Sequence, residues 1–176
     1  AFMATSAKVM IALVLMRFSQ LGIFFIQKPW FYSFMILSAL SVLFGNILAL
    51  TQTSLKRILA YSSIAHSGYL ALGISSLSLT TALPYTAIYF YLLGYGIASL
   101  VAFGLLMGLE SSACQDIHLD DLKGLARTHP WTSCVLSICL LSLAGFPPTV
   151  GFLGKFFIFS SAIENRLYFL VLIGAF

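Results

Sequence analysis

The chain has 176 residues, of which 60% are hydrophobic and only 8% are charged, and its net charge at pH 7 is +4. A soluble domain has roughly 25% charged residues and a polar exterior, so this composition argues against a soluble globular protein. The basic residues form no cluster of the kind that binds nucleic acid, and a mean hydropathy of +1.02 indicates a polytopic membrane protein instead.

Six apolar stretches are candidates for helices that cross a bilayer, which takes about 20 mostly apolar residues. They lie at Ala1–Phe18, Trp30–Leu50, Ile58–Leu79, Pro84–Leu109, Trp131–Ile163 and Leu167–Phe176. The fifth is too long for one simple span. We therefore predict an all-α transmembrane bundle of about six spans. Because the chain begins and ends within apolar runs, we expect residues 1–176 to be one transmembrane domain of a longer subunit.

Small residues recur at helical spacing along the second span, from Ser38 through Gly45 to Ala49, and again as the pairs Gly94/Ala98 and Gly104/Gly108. In membranes, small residues let helix backbones approach closely. These positions therefore predict helix–helix contacts.

The longest connection, 110–130, is polar and carries four of the five acidic residues. The residues Ile117, Leu119, Leu122 and Leu125 give it a weak amphipathic pattern. We expect a short helix that lies at the membrane surface there. The shorter connection 51–57 joins the second and third spans.

The fifth stretch contains Gly145, Pro147 and Pro148. Since proline has no N–H group, this pair removes the helical hydrogen bonds to the carbonyls of Leu143 and Ala144. The helix is therefore predicted to break inside the membrane, where freed carbonyls need protein or water partners. Broken helices at mid-membrane depth build ion sites in many transporters.

Lys155 falls in the second turn after this break. A charged side chain at the bilayer centre costs several kcal/mol, with estimates from about 2.5 to 17, and such residues usually face a bundle interior or a hydrated cavity. A lysine there can accept and release a proton. The alternative is a lysine that extends to the membrane interface. A break at mid-membrane depth favours the relay.

Lys8 also lies in an apolar run, and Thr5 and Ala12 make one face of its helix small and partly polar. It is a second candidate for a proton relay, with extension to the interface as the alternative.

The third span places Ser62, His66, Tyr69 and Gly73 on one face. A histidine among hydroxyl groups suits a hydrated proton path, although a lone histidine in a membrane helix is often structural. Lys56, at the boundary of this span, is a secondary candidate that could reach a cavity between the helices, with anchoring at the interface as the alternative.

The sequence contains no glycine-rich nucleotide loop, no zinc-binding motif and no cysteine cluster. Cys114, Cys134 and Cys139 lack ligand spacing. We therefore expect no cofactor and no metal in this chain.

Three stretches resemble the antiporter-like membrane subunits of respiratory complex I, and most of all the bacterial subunit N type, whose mitochondrial equivalent is subunit 2. They are Gly45–Tyr69 (GNILALTQTSLKRILAYSSIAHSGY), Gly124–Trp131 (GLARTHPW) and Leu140–Phe156 (LLSLAGFPPTVGFLGKF).

The resemblance implies the second half of an inverted-repeat antiporter-like fold, about helices eight to thirteen of fourteen. By the same resemblance, Lys8 matches the central lysine of helix eight and Lys155 the lysine of broken helix twelve. His66 then lies in the hydrated core between them, and Lys56 follows helix nine. The family's intramembrane glutamate and a further lysine are expected upstream of Ala1.

The resemblance further implies a proton-translocating membrane-arm subunit of NADH:quinone oxidoreductase. Flavin, iron–sulfur clusters and quinone are then expected in other subunits, and the partners are other membrane-arm subunits and lipid, without nucleic acid. A bacterial inner membrane is favoured over the mitochondrial one. One alternative is a subunit of a multisubunit Na⁺/H⁺ antiporter, and another is a membrane scaffold that conducts nothing.

Overall fold

The computed structural model describes residues 2–20, 28–77, 83–109 and 118–175, and this part of the chain is nearly all helical. The helices in chain order are α1 (Phe2–Gln20), α2 (Lys28–Leu50), α3 (Leu55–Ser75), α4 (Leu83–Leu109), α5 (Leu125–Thr128), α6 (Pro130–Ala144), α7 (Val150–Glu164) and α8 (Tyr168–Ala175). The described residues form no β-strand, only an isolated bridge between Ser54 and His118. The predicted all-α class is confirmed.

Two of the described helices are long and apolar enough to cross a bilayer by length and composition alone. They cover Trp30–Leu50 and Leu83–Leu109, with mean hydropathies of 2.1 and 2.0. Pro130–Ala144 is apolar but shorter. The number of six spans stays a prediction.

The third helix begins earlier than the sequence indicated. We predicted a span over Ile58–Leu79 after a connection that ended at Arg57, but α3 starts at Leu55 and ends at Ser75. Leu55 and Leu59 are buried, and lysine and arginine are good helix formers, so Lys56 and Arg57 join the first turn. The helix ends where the N–H of Ser76 bonds to the carbonyls of Leu72 and Gly73.

The predicted break in the fifth stretch is confirmed. Helix α6 ends at Ala144, and Gly145 follows with φ 86°, a left-handed conformation that glycine adopts without steric cost. The N–H groups of Gly145 and Phe146 both bond to the carbonyl of Leu141, which closes the helix end. Helix α7 then begins at Val150.

Helix α4 lies against both α6 and α7, so it spans the break. Gly154 of α7 packs directly on Tyr91, where an added Cβ would lie 3.1 Å from the Tyr91 Cα. Gly94 of α4 meets Val150 at the start of α7. The broken helix is therefore held in register by close contact with one continuous helix.

The described part of the connection 110–130 contains two short helices rather than one. A 3₁₀ helix covers Leu119–Leu122 and is followed by α5. The N–H of Leu119 donates to the carbonyl of Thr53 at 3.1 Å, so this connection docks on the turn between α2 and α3. Ile117, which we assigned to the amphipathic pattern, lies outside the described residues.

Helices α2 and α3 pack closely against each other, because small residues at their contact let the two backbones approach. A Cβ added at Gly45 would lie 2.6 Å from the backbone nitrogen of Ala65, and the Oγ of Ser38 donates to the Gly68 carbonyl at 2.8 Å. The prediction of helix contact from small residues is right here. For Gly104 and Gly108 it stays a prediction, because an added Cβ at these positions meets no described atom within 4 Å.

Gly45→Ala should destabilise the protein by about 1–3 kcal/mol, because the new methyl group must push α2 away from the α3 backbone. Gly104→Ala is the matched control, and it should be neutral or stabilising because alanine is the better helix former. Thermal unfolding of the detergent-solubilised protein measures both. Equal effects of the two substitutions would show that α2 and α3 do not meet at Gly45.

Candidate functional site

Lys155 donates hydrogen bonds to the backbone carbonyls that the proline pair leaves without a helical donor. The Nζ of Lys155 donates to the carbonyl oxygens of Leu143 at 3.2 Å and of Ala144 at 3.0 Å. These are the two acceptors that Pro147 and Pro148 cannot reach for want of N–H groups. The lysine side chain therefore replaces the two backbone hydrogen bonds that are missing at the break.

Helix α7 brings Lys155 to this position because its first turn lies close to the end of α6. The N–H of Gly151 donates to the Oγ of Ser142 at 3.2 Å, and a Cβ at Gly151 would overlap the Ser142 carbonyl. One turn further on, Lys155 passes over Gly145 and reaches back to the last carbonyls of α6. Its position in the second turn of α7 is as predicted.

Lys155 also borders a cavity of about 660 Å³ between α2, α3, α6, α7 and α8. The polar groups that line it are the side chains of Asn46, Ser62, His66, Tyr69 and Lys155. At about 30 Å³ for each water, this volume holds on the order of twenty water molecules, and several polar partners are available to them. The lining joins Lys155 to His66 through one continuous space.

His66 lies in the interior of the bundle, with only 4% of its surface exposed. Its Nδ1 is 2.5 Å from the Oη of Tyr91. The ring centroid of Tyr95 is 4.7 Å from that of His66, and the ring of Tyr69 is 6.1 Å away. Three tyrosines therefore surround the histidine.

Lys8 reaches the same region from α1. Its Nζ donates to the carbonyl of Ser63, one turn before Ser67 on α3. The Nζ is 5.9 Å from the centroid of the Tyr95 ring, close enough for a cation–π interaction. Thr5 and Ala12, which we predicted to lie on its face of the helix, are both buried.

The two lysines lie close to different tyrosines that surround His66. Lys155 is 4.9 Å from the Tyr69 ring centroid, whereas Lys8 is near Tyr95. Both lysines are close enough to His66 for electrostatic interaction. The fold thus brings together the three residues singled out from the sequence, Lys8, His66 and Lys155, although Lys8 does not line the cavity. Their role as a relay stays a prediction.

Lys56 is placed differently. It is half-buried in the first turn of α3 and is not among the residues that line the cavity. Its secondary role stays a prediction without support from the cavity geometry.

Sequence reasoning missed the tyrosines of α4. Tyr91 and Tyr95 are four residues apart, their rings are stacked with an interplanar angle of 6°, and both face His66. The spacing alone shows that they share a face. It does not show which face, because Tyr85, Tyr89 and Phe90 make the rest of this segment equally aromatic.

In the ranges 2–20, 28–77, 83–109 and 118–175, no group of three or more His, Cys, Asp or Glu residues is arranged to hold a metal ion. The polar groups of the site are lysines, a histidine, hydroxyls and an amide, which exchange protons or bind water.

The whole chain, residues 1–176, matches the model of a protein family described as NADH:quinone oxidoreductase/Mrp antiporter, transmembrane. It is 41% identical over 172 residues to NADH-quinone oxidoreductase subunit N of Methylococcus capsulatus, covering 97% of this chain and 35% of that protein. It is 37% identical over 174 residues to subunit N 1 of Herpetosiphon aurantiacus, covering 99% of this chain and 35% of that protein. The chain thus spans about a third of the length of these relatives.

Among solved structures, the fold is similar to a chain in the respiratory complex I from Thermus thermophilus with bound aureothin. The TM-score is 0.70 at 36% sequence identity, and the match covers 82% of this chain and 32% of that one.

Lys155→Met should destabilise the protein by about 2 kcal/mol, because it leaves the Leu143 and Ala144 carbonyls without a donor. In a Pro147→Ala/Pro148→Ala background the same change should cost less, since the restored amides can bond to those carbonyls. Thermal unfolding of the four variants gives the coupling between the lysine and the prolines. Equal losses in both backgrounds would mean that Lys155 does not cap the break.

Proposed function

Since the chain belongs to the NADH:quinone oxidoreductase/Mrp antiporter transmembrane family, we propose that it is the second half-channel of a proton-translocating, subunit N-type membrane-arm subunit of NADH:quinone oxidoreductase. The family match confirms the resemblance seen in the sequence. The relatives named subunit N and the complex I neighbour support this activity. One observation carries it: an ammonium group held at a helix break, on the wall of a cavity that also reaches a histidine.

The proton path runs through Lys8, His66 and Lys155. The charged Lys155 releases a proton from Nζ to water in the cavity. The neutral lysine that remains later takes up another proton from the cavity water. His66 exchanges protons with that water at the inner end of the cavity. Lys8 reaches the surroundings of His66 from α1, at the carbonyl of Ser63 and the ring of Tyr95, rather than through the cavity. The carbonyls of Leu143 and Ala144 hold the Lys155 ammonium in place while it is charged.

Electron transfer takes place in other subunits, which hold the flavin and the iron–sulfur clusters and bind the quinone. This chain contacts other membrane-arm subunits and lipid. The named relatives come from bacteria, which supports a place in the bacterial inner membrane.

A second candidate is a subunit of a multisubunit Na⁺/H⁺ antiporter, because the family description includes Mrp antiporters. The two functions differ in their energy source. Sodium-dependent proton movement in proteoliposomes without NADH would favour the antiporter, whereas pumping that requires NADH and quinone favours the oxidoreductase.

Lys155→Arg separates the structural role of Lys155 from its role as a proton carrier. Arginine keeps a charged donor for the two carbonyls, but it does not release its proton in proteins. We therefore expect an assembled complex whose NADH-driven proton pumping falls by at least about tenfold, since a positioned acid–base group contributes a large rate factor. Lys8→Arg should behave in the same way.

The matched control is Lys123→Arg, because Lys123 is exposed and pairs with Asp120 outside the bundle. It should leave pumping unchanged. If Lys155→Arg and Lys8→Arg also left pumping unchanged in an assembled complex, the chain would be a scaffold rather than a conductor.

A further inference from the structure

The Oη of Tyr91 is in hydrogen-bond contact with one ring nitrogen of His66, at 2.5 Å from Nδ1. Tyr91 is 2% exposed and packs closely against Gly154 of α7, so its ring has little room to move. Among the described residues, its hydroxyl has no other hydrogen-bond partner. Tyr91 is also absent from the wall of the cavity. The Nδ1 side of the histidine is therefore dry and occupied by a phenol.

The other ring nitrogen has different surroundings. Nε2 of His66 makes no hydrogen bond within the described part of the chain, and the histidine forms part of the cavity wall. Because Nδ1 is turned to Tyr91, Nε2 is the ring nitrogen available to cavity water. The two ring nitrogens of His66 therefore have different surroundings, with Tyr91 at Nδ1 and the cavity at Nε2.

A phenol suits this place because it both donates and accepts hydrogen bonds. When Nδ1–H donates to Oη, the lone pair of Nε2 is free to take a proton from a hydronium ion in the cavity, so that an N–H bond forms as an O–H bond breaks and neutral water remains. The resulting imidazolium keeps its Nδ1–H bonded to Tyr91. Loss of the Nε2 proton to the next water restores the starting state.

We propose that Tyr91 is a positioning residue for His66: its hydroxyl holds Nδ1, so that the histidine exchanges protons with the cavity through Nε2 alone. This inference rests on the proposed function, because it concerns a residue of the same path. Without the hydroxyl, the Nδ1–H of the imidazolium is buried with no acceptor, which disfavours the charged intermediate.

Other titratable groups also face His66. They are Lys8 of α1, Tyr69 of α3 itself, Tyr95 of α4 and Lys155 of α7. Tyr95 differs from Tyr91 in that its ring packs against the His66 ring, whereas the hydrogen bond to the histidine Nδ1 comes from Tyr91.

The test uses Tyr91→Phe in the assembled full-length complex, with Tyr89→Phe as the matched control. Both changes remove one phenolic hydroxyl from α4, but Tyr89 is 46% exposed on the outside of the bundle. Tyr91→Phe should lower NADH-driven proton pumping about tenfold, the loss expected for one hydrogen bond to a charged group, and should change its pH profile. Tyr89→Phe should alter neither.

His66→Gln and the double variant His66→Gln/Tyr91→Phe, together with Tyr91→Phe and the unchanged protein, form a double-mutant cycle. If Tyr91 acts through His66, the double variant pumps no more slowly than His66→Gln alone. Losses that multiply, or a Tyr91→Phe variant with normal pumping and pH profile beside an impaired His66→Gln, would overturn this inference and leave the proposed function intact. Normal pumping by His66→Gln would remove His66 from the path and overturn both this inference and the relay as proposed.

Discussion

Two backbone carbonyls and one ammonium group satisfy one another at the point where α6 becomes α7. Pro147 and Pro148 deprive the carbonyls of Leu143 and Ala144 of their helical donors, and Lys155 supplies two N–H groups in their place. Neither side of this arrangement is stable alone in a membrane, because an unpaired carbonyl and an unpaired ammonium each cost several kcal/mol. The break and the lysine are therefore one structural unit.

This unit explains why a cavity exists beside it. A helix that stops and restarts leaves space at its break, and here α2, α3 and α8 border that space. The Tyr69 ring is 6.1 Å from the His66 ring and 4.9 Å from the Nζ of Lys155, and its hydroxyl donates to the Gly174 carbonyl at 3.1 Å. The Tyr95 ring is 4.7 Å from the His66 ring and 5.9 Å from the Nζ of Lys8. On the proposed path, protons would pass these rings through water, because the face of an aromatic ring carries no exchangeable proton.

The sequence predicted the parts of this site that depend on local chemistry. Two adjacent prolines break a helix when they fall in its interior, so the break, the freed carbonyls and the place of Lys155 in the second turn could all be derived. The shared face of Ser62, His66 and Tyr69 followed from helical spacing, and all three line the cavity.

The sequence could not predict which residue of another helix each of these groups contacts. That Lys155 itself caps the carbonyls, and that Tyr91 binds Nδ1 of His66, depend on how α4, α6 and α7 pack. The start of α3 was misjudged because hydropathy treats Lys56 and Arg57 as a connection, whereas burial of Leu55 and Leu59 draws them into the helix.

The most direct test of the account is the structure of the assembled full-length protein at a resolution that shows ordered water. The account predicts the Nζ of Lys155 within hydrogen-bond distance of the Leu143 and Ala144 carbonyls, with a continuous file of water from Nζ to His66. A Lys155 side chain extended to the lipid headgroups, with dry apolar packing between it and His66, would contradict it.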